Sequence, residues 1–175
     1  VAMILFIKRS LLALLALVTI AMLAGYLLLR GSLPQLDGER ELPGLLAPVS
    51  MTRDGNGVLT VTAGNDADMA RALGFVHAQE RYFEMDLLRR SSSGELSELF
   101  GKIALEKDKS ARVHRLRDRI REHYAEMAGD DAATLQAYAD GVNAGLASLK
   151  VRPWPYLLLN SQPKPWLPED SFLIG

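Results

Sequence analysis

The sequence predicts a mainly helical protein with an N-terminal β-hairpin, preceded by a transmembrane helix. Three observations carry this expectation. Residues 10–29 hold no charge, residues 49–62 alternate with period two around a glycine and asparagine cluster, and from Asn65 onward apolar residues recur at helical spacing.

The first element is the apolar block. At about 1.5 Å per residue, 20 helical residues cover roughly 30 Å, the thickness of a bilayer's hydrocarbon core. A cleaved secretory signal has a shorter apolar region that ends in a small-residue site. Here Ala21 and Ala24 offer a poor site and Leu27, Leu28 and Leu29 follow, so an uncleaved anchor is expected in preference to a cleaved signal. Lys8 and Arg9 favour a cytoplasmic N-terminus, although Arg30 and Arg40 nearly cancel that bias. Ala21 and Gly25 have the small-xxx-small spacing that lets anchors pack, a coincidence expected in so alanine-rich a segment. Either Val1 or Met3 would serve as the start.

Residues 1–30 are therefore assigned to the anchor and 31–46, with Pro34, Gly38, Pro43 and Gly44 among charges, to a linker. In residues 47–175, Val49 and Met51 alternate with Ser50 and Thr52, and Leu59 and Val61 with Thr60 and Thr62. The intervening Asp54-Gly55-Asn56-Gly57 accepts positive φ, which marks a hairpin. Two strands alone are marginally stable, so the hairpin needs partners. Asn65 or Asp66 caps the next helix, whose expected stripe is Met69, Leu73, Val76, Phe83 and Leu87 and whose end is expected near Arg90. Ser92 and Glu95 have capping-box spacing for a short helix carrying Leu96, Leu99 and Phe100 and closed by Gly101. A third helix is read from Val113, Leu116, Ile120, Tyr124 and Met127, and a fourth from Leu135, Tyr138, Val142, Leu146 and Leu149. Five prolines from Pro153 to Pro168 make the rest irregular, with Trp154 and Trp166 as anchors and a last helix opening at Pro168 or Glu169. The apolar run Phe172-Leu173-Ile174-Gly175 follows that helix start so closely that the sequence reads as a piece of something longer.

Composition excludes several functions. The chain has 20 basic and 21 acidic residues, and without Lys8, Arg9 and Arg30 the balance is 17 against 21, or −4. That is not the basic face a nucleic-acid-binding protein needs, and no nucleic-acid partner is expected. With no cysteine there is no disulfide framework, thiolate metal site or cysteine nucleophile.

Four constellations could carry chemistry. His77 and Glu80 share a helix face at i, i+3, but His114 and His123 supply no matching metal motif, so His77 reads as a hydrogen-bonded histidine at a packed helix surface. Lys102, Lys107, Lys109, Arg112, Arg115, Arg117, Arg119 and Arg121 are interrupted by Glu106, Asp108, Asp118 and Glu122, which reads as a solvated, ion-paired face. Asp86 to Arg90, with Arg81 and Glu84, puts dense charge on a helix expected to be buried, and buried charges must be paired, so a structural network is expected there. Ser32, if freed at a new N-terminus, could use its own amine of pKa roughly 7.7–8.0 as a base, but Leu33-Pro34 follow it where a supporting strand is needed. No elbow, phosphate loop, dinucleotide fingerprint or H-E-x-x-H occurs.

Several segments together resemble the N-terminal part of the penicillin amidase (penicillin acylase) family. They are Ala47-Pro48-Val49 leading to Thr52-Arg53-Asp54 and Gly57-Val58, and Gly74-Phe75-Val76-His77-Ala78-Gln79-Glu80-Arg81-Tyr82-Phe83-Glu84-Met85-Asp86-Leu87-Leu88-Arg89-Arg90. Then come Gly94-Glu95-Leu96-Ser97-Glu98-Leu99-Phe100-Gly101, Ala137-Tyr138-Ala139-Asp140-Gly141-Val142-Asn143-Ala144 and Pro165-Trp166-Leu167-Pro168-Glu169-Asp170-Ser171. Two positions depart from the family pattern. Gly57-Val58-Leu59-Thr60-Val61 stands where Gly-Val-Pro-His-Ile is common, and Leu167 replaces a helix-capping threonine, a loss of about 1 kcal/mol.

The resemblance implies an αββα N-terminal nucleophile hydrolase made as a precursor that cleaves itself into two chains. It implies hydrolysis of carbon–nitrogen bonds in linear amides of acylated small molecules, such as β-lactam antibiotics or acyl-homoserine lactones. In such enzymes a serine that begins the second chain attacks the carbonyl, its α-amine relays the proton, and an oxyanion hole stabilises the intermediate. The nucleophile, the oxyanion donors and the ligands of a calcium site are all expected outside these 175 residues. No catalytic, cofactor-binding or metal residue is therefore assigned within them, and His77, Glu80, Arg81, Asp86 and Arg89 are assigned to scaffold. The expected partners are an acylated substrate, the membrane and the second (β) chain of the same precursor. The expected location is the bacterial inner membrane, with the enzyme domain in the periplasm and these residues inactive alone. The competing reading is a non-catalytic, membrane-tethered helical interaction module.

Overall fold

The computed structural model describes residues 2–174, so the two ends of the sequence, Val1 and Gly175, lie outside the described residues. Helix α1 (Ala2–Gly31) is longer than the uncharged block because the helix continues through Lys8 and Arg9. Its apolar side chains are exposed along its length, and Met3–Gly31 is long and apolar enough to cross a bilayer, with a mean hydropathy of 2.5 over its most apolar 18 residues.

Strands β1 (Ser50–Arg53) and β2 (Leu59–Thr62) pair antiparallel, with Met51 opposite Val61 and Thr52 opposite Thr60. The turn is held by Asp54, whose carboxylate accepts from the Asn56 and Val58 amides at 2.9 and 2.8 Å, while Gly57 takes φ +82°. Side chains on one face of β2 are half-buried and those of β1 are exposed throughout, so this hairpin packs mainly through β2, with Arg53 of β1 adding an ion pair to Glu80.

Helix α2 (Asp66–Ser93) begins with Asn65 capping the Asp68 amide at 2.8 Å. The Asp68 carboxylate then reaches back to the Leu46 and Ala47 amides at 2.9 and 3.1 Å, fastening the end of the linker. At Arg81 the backbone leaves helical geometry (φ −142°, ψ 25°), dividing α2 into two halves with different tasks.

The first half packs on α6 (Ala132–Ala147), and glycine makes that packing feasible. A Cβ on Gly74 would lie 2.3 Å from the Tyr138 carbonyl oxygen, one on Gly141 2.0 Å from that of Arg71, and one on Gly145 2.2 Å from that of Phe75. The contact between these helices is thus made by backbone against backbone. The expected stripes are met in part: Val76 and Val142 are buried, Phe83, Tyr138 and Leu146 are partly buried against the core, and Met69, Leu73, Leu87 and Leu135 are half-buried. The close approach itself is made at Gly74, Gly141 and Gly145, positions that the apolar spacing does not mark.

Beyond α2 the order is α3 (Ser97–Phe100), α4 (Leu105–Arg112), α5 (Leu116–Ala128), α6 and α7 (Trp154–Leu158), with 3-10 turns at Gly101–Ala104, Gly129–Asp131 and Pro168–Leu173. Four local expectations are corrected here. Ser92 does not cap α3, because α2 runs to Ser93 and ends at left-handed Gly94 (φ +71°). The cap comes from outside: Asp108 on α4 accepts from the Leu96 and Ser97 amides at 2.9 and 2.7 Å. Val113 is 78% exposed because α4 stops before it and α5 starts after it, and Leu149 lies past the end of α6. Trp154 is half exposed on a helix where an irregular stretch was expected, and the buried aromatic there is Tyr156.

Ala78, Tyr82, Met85, Ala139, Val142, Tyr156 and Trp166 form the core. Trp166 is held at both its amide and its carbonyl by the side-chain amide of Asn143, each bond 2.8 Å. Gly141→Ala should separate α2 from α6 and destabilise the folded protein by about 1–3 kcal/mol. Gly55→Ala, where nothing lies within 4 Å, should be close to neutral in the same denaturant titration.

Candidate functional site

The second half of α2 carries the chemistry-bearing residues. Asp86, Arg89 and Arg90 stand at i, i+3 and i+4, so all three project from one face. That face is inside the protein, and the Asp86 side chain is fully buried. Its Oδ1 accepts from Arg89 Nε at 2.7 Å, and its Oδ2 from Arg90 Nε at 2.8 Å and from the Tyr156 hydroxyl at 2.5 Å.

Each arginine passes the connection outward. Arg89 Nη1 donates to Asp170 Oδ2 at 2.6 Å and to the Pro165 carbonyl at 2.8 Å, and Nη2 donates to the Lys164 carbonyl at 3.1 Å. The guanidinium lies over the rings of Trp166 and Tyr82, and the Tyr82 hydroxyl donates to the same Lys164 carbonyl. Arg117, on α5, donates to the other oxygen of Asp170 at 2.8 Å and grips Glu95 with two further bonds. Arg90 and Lys164 meet at Glu98, each 2.6 Å from Oε2. Four carboxylates (Asp86, Glu95, Glu98, Asp170) thus pair with four cations (Arg89, Arg90, Arg117, Lys164), and all of these but Glu98 line a cleft of about 200 Å³ together with Arg121, which faces Glu169 at 3.8 Å.

The surroundings keep these groups in fixed states. Burial and the neighbouring Asp86 charge push the Tyr156 hydroxyl well above its ordinary value, and burial does the same to Tyr82, so both remain neutral donors. Burial opposes the charge on Arg89, yet the adjoining carboxylates of Asp86 and Asp170 prevail and raise its pKa. At Glu98 burial works in one direction and the bonds from Lys164 and Arg90 in the other, and the bonds win, lowering its pKa. Charge is balanced and the buried carboxylates are engaged, so the arrangement can hold segments together and has no free group to exchange a proton with a substrate.

The remaining singled-out residues fall elsewhere. His77 Nδ1 lies 3.0 Å from the Tyr138 hydroxyl, with the two rings edge to face. Burial, and then the Arg81 charge, lower the pKa of His77, with Glu80 pulling the other way. Glu80 pairs with Arg53, which ties β1 to α2 next to the break at Arg81. Arg81 and Glu84 are exposed and stay out of the network. Ser32 is buried and accepts from the Trp154 amide at 3.1 Å. The solvated basic face holds for Lys109 and Arg115, which pair with Glu106, Asp118 and Glu122, but is corrected for Arg117, which turns inward because Asp170 and Glu95 lie beneath it. His114 and His123 are exposed, and among the described residues no group of three or more His, Asp or Glu is placed to hold a metal ion. Asp170, Glu95, Glu98, Lys164, Tyr82 and Tyr156 were not anticipated in the network. The available signal was the surplus of cation at Asp86-x-x-Arg89-Arg90, since two buried arginines need more than one carboxylate.

The network residues lie within the stretch that a family model matches. The sequence model described as penicillin amidase matches residues 48–175. The chain belongs to the penicillin amidase family. It is 41% identical over 146 residues to penicillin acylase 2 proenzyme of Pseudomonas sp. (strain SE83), a match covering 83% of this chain and 19% of that protein. It is 35% identical over 133 residues to penicillin G acylase of Escherichia coli (72% and 16%), and 34% identical over 144 residues to the acyl-homoserine lactone acylase QuiP of Pseudomonas aeruginosa (82% and 17%). The chain therefore spans less than a fifth of the length of these relatives. Among solved structures it matches a thermostable penicillin G acylase from Alcaligenes faecalis with a TM-score of 0.64 and 29% identity, over 73% of this chain and 69% of that one. The fold is the helical and hairpin portion of a penicillin acylase, an N-terminal nucleophile hydrolase.

Asp86→Ala should leave Arg89 and Arg90 buried without their shared partner and destabilise the protein by about 3–5 kcal/mol, read by denaturant unfolding. Stability should also fall with acid in two windows. His77, lowered in the fold, stabilises fully above 6.5 and loses that contribution as pH falls through its folded value. Asp68, Glu98 and Asp108, also lowered, contribute above their ordinary values of 3.8 to 4.5 and are lost below. A thermal midpoint against pH should show both declines, with His77→Gln removing only the upper one.

Proposed function

We propose that this chain is the anchor, linker and first part of the α chain of a membrane-tethered acylase precursor. In this reading residues 1–30 anchor, 31–46 form the linker and 47–175 begin the penicillin amidase-like domain. The whole protein hydrolyses a linear amide of an acylated small molecule, such as a β-lactam antibiotic or an acyl-homoserine lactone, the two substrate types in the names of the relatives. A serine outside these residues, freed by autocatalytic cleavage, is the nucleophile, its α-amine moves the proton, and the acid–base and oxyanion groups lie with it on the β chain. The calcium ion that the resemblance implies would also take its ligands from residues outside this chain.

The observation that carries the proposal is the clasp. A fully paired buried network positions two distant segments and performs no proton transfer, which is what a scaffold for a nucleophile carried elsewhere requires. The relative named as a proenzyme supports a processed precursor. The apolar, exposed α1 supports attachment to a bacterial inner membrane with the domain in the periplasm.

The test is made on the full-length protein. Mass spectrometry should find two chains, replacement of the serine that begins the second should abolish cleavage, and the processed protein should release the acyl group from a penicillin or an acyl-homoserine lactone. Residues 31–175 expressed alone should give no turnover. A full-length product that remains one chain and hydrolyses neither substrate would instead establish the non-catalytic interaction module.

A further inference from the structure

A second cleft lies where α1 meets the body of the protein, and the acylase reading gives it no role. Its volume is about 590 Å³, within the range of roughly 300–1,000 Å³ typical of sites that enclose small ligands. Three cations line it, from three separate parts of the chain: Arg30 in the last turn of α1, Arg40 in the linker and Lys150 in the connection between α6 and α7. No carboxylate lines it, and Asp37, Glu39 and Glu41 nearby are exposed outside it. Among the described residues none of the three cations is within ion-pair distance of an acid. Arg30 and Arg40 are aimed by neutral groups instead, the Tyr26 hydroxyl at 3.0 Å and Gln35 Oε1 at 2.7 Å.

The cleft is held in shape by a latch. The Gly31 carbonyl accepts from the Val151 amide at 3.0 Å, and buried Ser32 accepts from the Trp154 amide at 3.1 Å, so the end of α1 is seated on the segment that carries Lys150. Gln79 donates to Ser148 at 2.8 Å, and both line the cleft. The latch places the cleft and its three cations at the end of α1, where Arg30 stands about one turn beyond Leu27. If the uncharged block occupies a hydrocarbon core of roughly 30 Å, that end is in the headgroup layer, and Tyr26 lies where interfacial aromatic residues collect.

We propose that this cleft binds the phosphate of an anionic phospholipid headgroup and so clamps the domain against the membrane surface. The proposal rests on the reading of α1 as a membrane span. Location and lining favour a lipid over a phosphate free in solution, because Leu27, Leu33 and Leu149 add apolar lining beside the cations and Leu27 belongs to the apolar block itself. Charge favours an anionic lipid over a zwitterionic one, since choline or ethanolamine would bring a fourth cation to a site with no carboxylate to receive it. The clamp also gives Arg30 and Arg40 a reason to stand on the far side of the anchor, against the usual excess of cations at the cytoplasmic end.

The test uses the full-length protein in nanodiscs of phosphatidylcholine with a minor fraction of phosphatidylglycerol. Carbonate extraction of native membranes reports separately whether α1 is inserted. The inserted protein should retain phosphatidylglycerol on gentle delipidation, read by native mass spectrometry. Arg30→Gln, Arg40→Gln and Lys150→Gln together should lower that retention about tenfold or more. The same charge change made on α4 and just before it, Lys102→Gln, Lys107→Gln and Lys109→Gln, should leave retention intact. Inorganic phosphate at constant ionic strength should not displace the lipid. Insertion without preferential retention, equal loss in both triple variants, or displacement by inorganic phosphate each overturns the clamp. Release of the wild type by carbonate overturns the anchor, and the clamp with it.

Discussion

The buried carboxylate of Asp86 is the point on which the rest of this structure depends. It sits at the bottom of α2's second half and is shared by two arginines of its own helix and by a tyrosine 70 residues away. Taking a carboxylate and two guanidinium groups out of water is costly unless every lone pair and proton finds a partner. Here the cost is offset only because the chain returns at Tyr156, Lys164, Pro165 and Asp170 to complete the set. The network therefore works as a condition on the fold: the terminal stretch must come back to α2, or the charges on that helix stay unsatisfied.

That condition explains the division of α2 at Arg81. The first half is bound by close packing, since Gly74, Gly141 and Gly145 let α2 and α6 approach to backbone contact. The second half is bound by charge and by aromatic rings, with Trp166 held on one side by Asn143 of α6 and on the other lying against Arg89. Asn143 and Gly141 are two residues apart on α6 and serve the two kinds of binding, so α6 is the strut that couples them. The hairpin, by contrast, is fastened to these helices by the Arg53–Glu80 pair and one half-buried face of β2.

The junction of α1 with the rest of the protein follows the same logic with weaker means. Two hydrogen bonds seat the end of α1 on the Val151–Trp154 segment, and Asp68 fastens the end of the linker to the start of α2. Residues 31–46 are thus pinned at both ends, and these bonds, as well as the length of the segment, set how the rest of the protein sits on the end of α1.

By itself the sequence determined whatever depends on neighbours along the chain. The apolar block, the Asp54 to Gly57 turn, the Asn65 cap and the need for Asp86, Arg89 and Arg90 to be paired could all be read because each rests on local geometry or on a cost that any burial incurs. Tertiary structure decided which partners answer those needs. Asp108 capping α3, Arg117 turning inward to Asp170 and Tyr156 replacing Trp154 as the buried aromatic all join residues from 11 to 70 positions apart. Periodicity found part of the buried faces of α2 and α6, at Val76, Val142, Phe83, Tyr138 and Leu146, and missed the line of closest approach for a related reason. Apolar spacing marks where large side chains lie and does not register Gly74, Gly141 and Gly145, where backbone meets backbone. Helical spacing alone does not reveal that such a close approach will occur; that depends on the neighbouring helix.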